Sequence, residues 1–253
     1  MTKQEALFTY LLRLGDNALV MGHRLSEWSS FAPILEEDLA LTNIALDHIG
    51  RAQALLKYAA EIEGKGRTED DLAYKRPERQ FLNVLLVEQP NGDFASTIAR
   101  QIFHSAFELQ LFEALSKSKD ETLSGLAARC LKEVKYHWRH AFDWLQRLGD
   151  GTEESHERMQ KGIDDLWMYS GELFEIDDVE AMLIEEGIAV DNSAFYDKWN
   201  ALISEALSSA TITRPEEGAY MQTGGRKGVH TENLGFILAE MQYLPRAYPD
   251  AKW

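Results

Sequence analysis

Glu133 and His137, in the stretch LKEVKYHWRH (131–140), are a carboxylate and an imidazole one helical turn apart. Residues i and i+4 share a helix face, and the surrounding apolar residues point the same way. A carboxylate and an imidazole on an inner helix face are a candidate for metal chemistry. A di-iron carboxylate bundle asks for more: one Glu from each of two helices and a Glu-x-x-His from each of the other two. The carboxylates bridge the irons and balance their charge, and the histidines add nitrogen donors.

The remaining ligands are scarce. The natural place for a second Glu-x-x-His is LDHIGRAQ, where the i, i+3 pair is His48 and Arg51. Arginine stays protonated and has no lone pair to donate, and Asp47 with Gly50 is no better. The i+3 partner of Glu133 is Tyr136, and His140 is a further imidazole nearby. Between Glu5 and Glu27 the first helix offers only Asp16, off its apolar stripe, while Glu108 and Glu113 on the third could each face inward. His48, Arg51, Glu133 and His137 therefore read as a remnant site, with no metal expected in this chain. Arg51 and Glu133 would form an ion pair in the metal's place, since a buried carboxylate needs such a partner and a guanidinium fork supplies it. An intact di-iron site and a single adventitious ion are the competing readings.

A second candidate is TGGRKGVHTE (223–232). Gly224, Gly225 and Gly228 expose backbone N–H groups, Arg226 and Lys227 add positive charge, and a helix start follows at Thr231. Such an assembly suits a phosphate. It reads equally as a contact between subunits or as a plain solvated loop.

Helical periodicity must position these groups. Long helices are expected over about 3–28, 34–63, 94–116 and 123–148, with a connection of roughly 30 residues after the second, long for a bundle loop. FLNVLLVE within it could form a short helix. Further helices are expected over about 155–174, after a cap at Asn192 or Ser193, and from Thr231 to Pro245. The chain reads as all-α, a ferritin-like four-helix bundle with one long crossover between helices two and three. It reads as one domain over 1–253, with a core over about 3–148 and about three further helices docked over 155–253.

Composition narrows the partners. The 26 Lys and Arg against 42 Asp and Glu leave a net charge of -16, which repels nucleic acid and anionic membranes. Cys130 is the only cysteine, so no intrachain disulfide can form, as expected for a reducing cytoplasm. Its apolar helical setting makes it a small buried hydrophobe. No signal peptide is expected at the N-terminus, and no stretch reaches the roughly 18 apolar residues of a membrane span.

Several blocks in order carry a resemblance over nearly the whole chain: LRLGDNALV, EEDLALTNIALDHIGRAQ, RQFLNVLLVEQPNGDFASTIARQ, KEVKYHWRHAFDWLQRLGDGT, EEGIAVD and GGRKGVHTENLGFILAEMQYL. The sequence resembles the C-subunit family of bacterial phenylacetyl-CoA 1,2-epoxidases, multicomponent monooxygenases of aerobic phenylacetate degradation. The resemblance implies a ferritin-like fold and a non-catalytic, structural role. It implies a heterodimer with a homologous A subunit that carries the di-iron centre and binds the acyl-CoA. It also implies a B subunit, an electron-transfer reductase and a further small component as partners. No cofactor is then expected in this chain, and a homodimer is conceivable when the partner is missing. Arg226 and Lys227 could touch the phosphates of CoA bound next door. A di-iron oxygenase or ferroxidase acting alone and an acyl-CoA-binding module are the alternatives.

Overall fold

The computed structural model describes residues 1–216, 218–249 and 251. The helices are α1 (Lys3–Ser26), α2 (Leu35–Glu63), α3 (Glu69–Tyr74), α4 (Leu85–Glu88), α5 (Phe94–Leu115), α6 (Glu121–Gly149), α7 (Glu153–Trp167), α8 (Asp178–Glu185), α9 (Tyr196–Ser209), α10 (Glu232–Met241) and α11 (Tyr243–Ala247). Among the described residues there is no strand. The fold is all-α, of the ferritin-like class, and all four long helices lie where periodicity placed them.

The chain forms two compact units. One comprises residues 1–90 and 223–253, the other residues 91–222. The boundary falls at the end of the long connection, and the C-terminal segment returns to the first unit.

In the first unit α1 and α2 form an antiparallel hairpin: Gly15 of α1 meets Leu55 and Leu56, and Gly22 meets Ala45 and Ile49. A side chain at Gly22 would lie 2.8 Å from the Ile49 tip, so the small residue permits the close approach. Thr2 starts α1 with a capping box, accepting from the Glu5 N–H while the Glu5 carboxylate accepts from its own, which satisfies two otherwise orphaned donors. Gly64, at φ 68°, ends α2 in the left-handed conformation that glycine adopts without strain.

The connection is more built than its composition suggested. It holds α3, a 3-10 turn at Glu78–Gln80, an extended run and the single turn of α4. FLNVLLVE becomes helical only over its last four residues, because the N–H groups of Leu82 and Val84 bond to side chains of α1 instead.

In the second unit α5 and α6 form the other antiparallel hairpin. Their far ends meet through Phe94 and Trp144, edge to face at 5.0 Å. Phe103, Phe107, Trp167, Phe174, Tyr196 and Trp199 form an aromatic cluster that anchors α7, the 3-10 turn at Gly171–Phe174 and α9 to α5. The buried Trp199 indole N–H is satisfied by the Phe103 carbonyl at 3.0 Å, as a buried Trp requires.

Three local expectations need correction. The helix expected over 155–174 stops at Trp167, and α8 was not foreseen. Asp191, rather than Asn192 or Ser193, caps the 3-10 turn that runs into α9. The last helix breaks at Gln242, and Pro245 lies inside the following short α11.

Candidate functional site

Among the described residues each unit buries a polar cluster. The first begins with Asp16, expected off the apolar stripe of α1 but wholly enclosed. Periodicity measured only its own helix; the connection supplies the partner. Arg76, just after α3, grips Asp16 with both terminal nitrogens, one of them at 3.0 Å. A bidentate guanidinium–carboxylate pair is among the strongest polar contacts available. The same guanidinium donates to the Leu72 and Gln80 carbonyls and lies 4.3 Å over the Phe81 ring.

Asp16 and its neighbour Asn17 also read the extended run. Asp16 accepts from the Leu82 N–H at 2.9 Å and Asn17 from the Val84 N–H at 2.8 Å. Alternate N–H groups of an extended chain point the same way, so two consecutive polar residues on α1 hold the run like a strand edge.

Glu88 is the centre of the second half of this cluster. Its fully buried carboxylate accepts from the Asn83 amide (2.8 Å), the His230 ring (2.8 Å), and the Thr231 N–H and hydroxyl (2.7 and 2.8 Å). Arg24 donates to the Glu88 carbonyl. Thr231 was expected to cap α10. It occupies the cap position without an intrahelical side-chain bond; its N–H and hydroxyl go to Glu88 instead, which places a negative charge that suits a helix N-terminus.

His230 faces oxygen on both sides, Glu88 at Nδ1 and the Phe81 carbonyl at Nε2, each 2.8 Å away. Burial, the largest single influence, opposes its charge. The hydrogen bond and charge of Glu88, aided by the Phe81 carbonyl, outweigh it and raise the pKa. An imidazolium donating twice fits this geometry.

The TGGRKGVHTE loop is thereby pinned to the connection. A side chain at Gly225 would meet the Asn83 carbonyl oxygen at 2.2 Å, and one at Gly228, which also has φ +73°, would meet that of Arg79 at 2.3 Å. The glycines serve backbone approach within the unit. The two cations part company: Arg226 is buried, its carbonyl accepting from Arg13, while Lys227 is exposed.

The second cluster lies on α5 and α6. Glu108 is 4 % exposed and its carboxylate oxygen and a His137 ring nitrogen lie within 4.8 Å. His104 Nδ1 is 3.7 Å from Glu108 Oε2, and His140 is buried on α6. Glu113, the other candidate on this helix, faces outward beside Lys198. Glu133 is half-buried. Its side chain is 23 % exposed and its Oε1 lies 3.7 Å from Arg129 Nε on the same helix.

The register explains this. The residue sharing the inner face three positions before His137 is Val134, which is fully buried. On α2 the corresponding buried pair is His48 and Arg51. Neither helix therefore presents Glu-x-x-His inward, and the one carboxylate on the buried part of α1, Asp16, is already held by Arg76. Glu108, His104 and His137 could each offer a lone pair, but four carboxylates and two histidines in register are not present among the described residues. The donor set does not fit a pair of irons.

Residues 1–253 match the family described as "Phenylacetic acid catabolic protein". The chain belongs to that family. It is 51% identical over 247 residues to the C subunit of the 1,2-phenylacetyl-CoA epoxidase of Escherichia coli (strain K12), covering 98% of this chain and 99% of that one. Family membership accords with the helical fold, and no helix among the described residues is long and apolar enough to cross a membrane.

Sequence reasoning missed His104, Arg76, Glu88 and His230. His104 had a signal, standing four residues before Glu108 on one helix face. The other three had none, since the charged partner lies 60 positions away for Arg76 and 142 for Glu88 and His230.

Proposed function

We propose that this chain is a non-catalytic subunit of a phenylacetyl-CoA epoxidase in aerobic phenylacetate degradation. It stabilises a homologous A subunit that carries the di-iron centre and binds the acyl-CoA. The B subunit and an electron-transfer reductase complete the complex, in the cytoplasm. The observation that carries this reading is the register of α2 and α6. The positions that a metal-bearing homologue would fill with Glu-x-x-His are His48 and Arg51 on one helix, Val134 and His137 on the other, all buried. A fixed guanidinium and an isopropyl group supply no ligand. The relative in E. coli is itself called a subunit, which supports a role within an assembly.

Metal analysis and acyl-CoA oxygenation test the proposal, on this chain alone and on the chain co-purified with its homologous partner. Little iron and no turnover alone, with turnover in the complex, is the expected result. About two irons per chain with turnover in isolation would sink the proposal.

A further inference from the structure

The first unit carries a groove of about 680 Å³ between α3 and the C-terminal α10–α11 segment. It is a built feature. Gln242 donates to the Arg76 carbonyl at 3.0 Å and Arg246 to the same oxygen at 3.1 Å, which ties the C-terminal segment to the end of α3. That carbonyl is satisfied within the unit, so an occupant is not needed for it.

The walls have a definite chemistry. Tyr74 and Tyr248 contribute rings, Leu244 and the two prolines contribute apolar surface, and Asp70, Asp71 and Glu240 contribute carboxylates. Among the described residues Lys75 is the one cation in the lining, and it is engaged with Asp71 at 2.6 Å. Negative charge therefore exceeds positive, and Asp70 stands close enough to Tyr74 to act on its hydroxyl. Aromatic faces beside carboxylates form a receptor for a guanidinium or ammonium group. Apolar surface extends outward from the walls: Leu244 and Tyr248 are 49% and 59% exposed, and Tyr243, outside the lining, is 66% exposed. Contiguous exposed apolar surface beside a groove marks a site of protein association.

We propose that this groove docks a basic segment of a partner polypeptide, with an Arg or Lys side chain between the tyrosines and carboxylates and its apolar neighbours on the rim. The charge complementarity decides for a basic occupant. The open, extended rim decides for a peptide segment over a small cation, which would leave Tyr243 and Leu244 uncovered. The groove shares no residue with the α5–α6 cluster and does not depend on whether this chain binds metal.

Fluorescence anisotropy on the full chain tests the idea, with a fluorescein-labelled peptide of alternating arginine and leucine as the probe. Its counterpart has citrulline at every arginine, and a second protein, Asp70→Asn with Glu240→Gln, removes two carboxylates at constant shape. A third, Glu154→Gln with Asp165→Asn on the exposed face of α7, removes the same charge elsewhere. The expected result is saturable binding of the arginine peptide, weakened at least five-fold by the groove pair, nearly unchanged by the α7 pair, and lost with citrulline. Absence of binding, equal loss from both protein variants, or equal binding of the citrulline peptide would each overturn the proposal. All four substituted side chains are exposed, and unchanged thermal unfolding confirms that the variants are folded.

Discussion

The two buried polar clusters differ in what they are used for. In the first unit the two carboxylates of the cluster meet partners from distant segments: Asp16 meets Arg76, and Glu88 meets His230 and Thr231. In the second unit the polar face of α5 carries Gln101, His104, Ser105 and Glu108 within a single helix. Gln101 is buried, and both its amide atoms lack a hydrogen-bond partner among the described residues. Polar groups that tie remote segments together are structural keystones. Gln101, which has no such tie, contributes less to the fold, and removal of its amide should be tolerated.

The widest separation between the clusters comes from Asp16→Asn. It leaves the Arg76 guanidinium buried without its counter-charge, and breaking such a pair costs about 3–5 kcal/mol. Chemical denaturation of the full chain should show a loss in that range; a loss under about 1 kcal/mol would remove the keystone role.

Gly225→Ala should come next. The added methyl group would lie 2.2 Å from the Asn83 carbonyl oxygen, and overpacking of this kind costs about 1–3 kcal/mol. Limited proteolysis should then cut residues 223–253 faster than in the parent chain. Equal rates would show that the loop docks without needing glycine.

His230→Gln should cost about 1–3 kcal/mol, because one of two buried acceptors loses its donor. Its pH dependence has a definite sign. The folded state binds the His230 proton more tightly than the unfolded state, so the stabilisation is complete below the ordinary value of 6.5 and fades as pH rises through the higher folded value. The parent should therefore lose stability on that alkaline side and the variant should not. His23 runs the other way: burial lowers its proton affinity, so its effect appears on acidification below about 6.5 and does not overlap. Parallel stability curves above about pH 6.5 would contradict the double-donor geometry.

The smallest effect, and the one of opposite sign, is expected from Gln101→Leu. Exchanging an unpartnered buried amide for an apolar group of similar size is neutral or stabilising by about 1 kcal/mol. A clear loss of stability would mean that Gln101 bonds a buried water or another partner, and the contrast between the clusters would narrow.

Much of the architecture was legible because its causes are local. The four long helices follow from the 3.6-residue spacing of their apolar residues. The absence of a Glu-x-x-His on α2 was equally visible, since Arg51 cannot be a ligand wherever it points. Glu133 was harder to place. An i+4 spacing from His137 is compatible with one face, but α6 buries Val134 at i−3 and leaves Glu133 at the border, beside Arg129. A stripe boundary moves with small rotations of a helix, and only packing sets that rotation.

The sequence by itself determined the class of fold, the long helices, the charge and the family, because these rest on residue types and short periods. Tertiary structure alone decided what three separate blocks do together. LGDN, RQFLNVLLVE and GGRKGVHTE are separated by dozens of residues, yet Asp16, Asn17, Glu88, Gly225 and His230 enclose one extended run of chain. The phosphate-like look of the glycine loop came from its composition, whereas its use came from the Asn83 and Arg79 carbonyls that press against it. A long-range contact has no period for a sequence to display. It exists only once burial makes an unpaired charge or N–H too costly to leave alone.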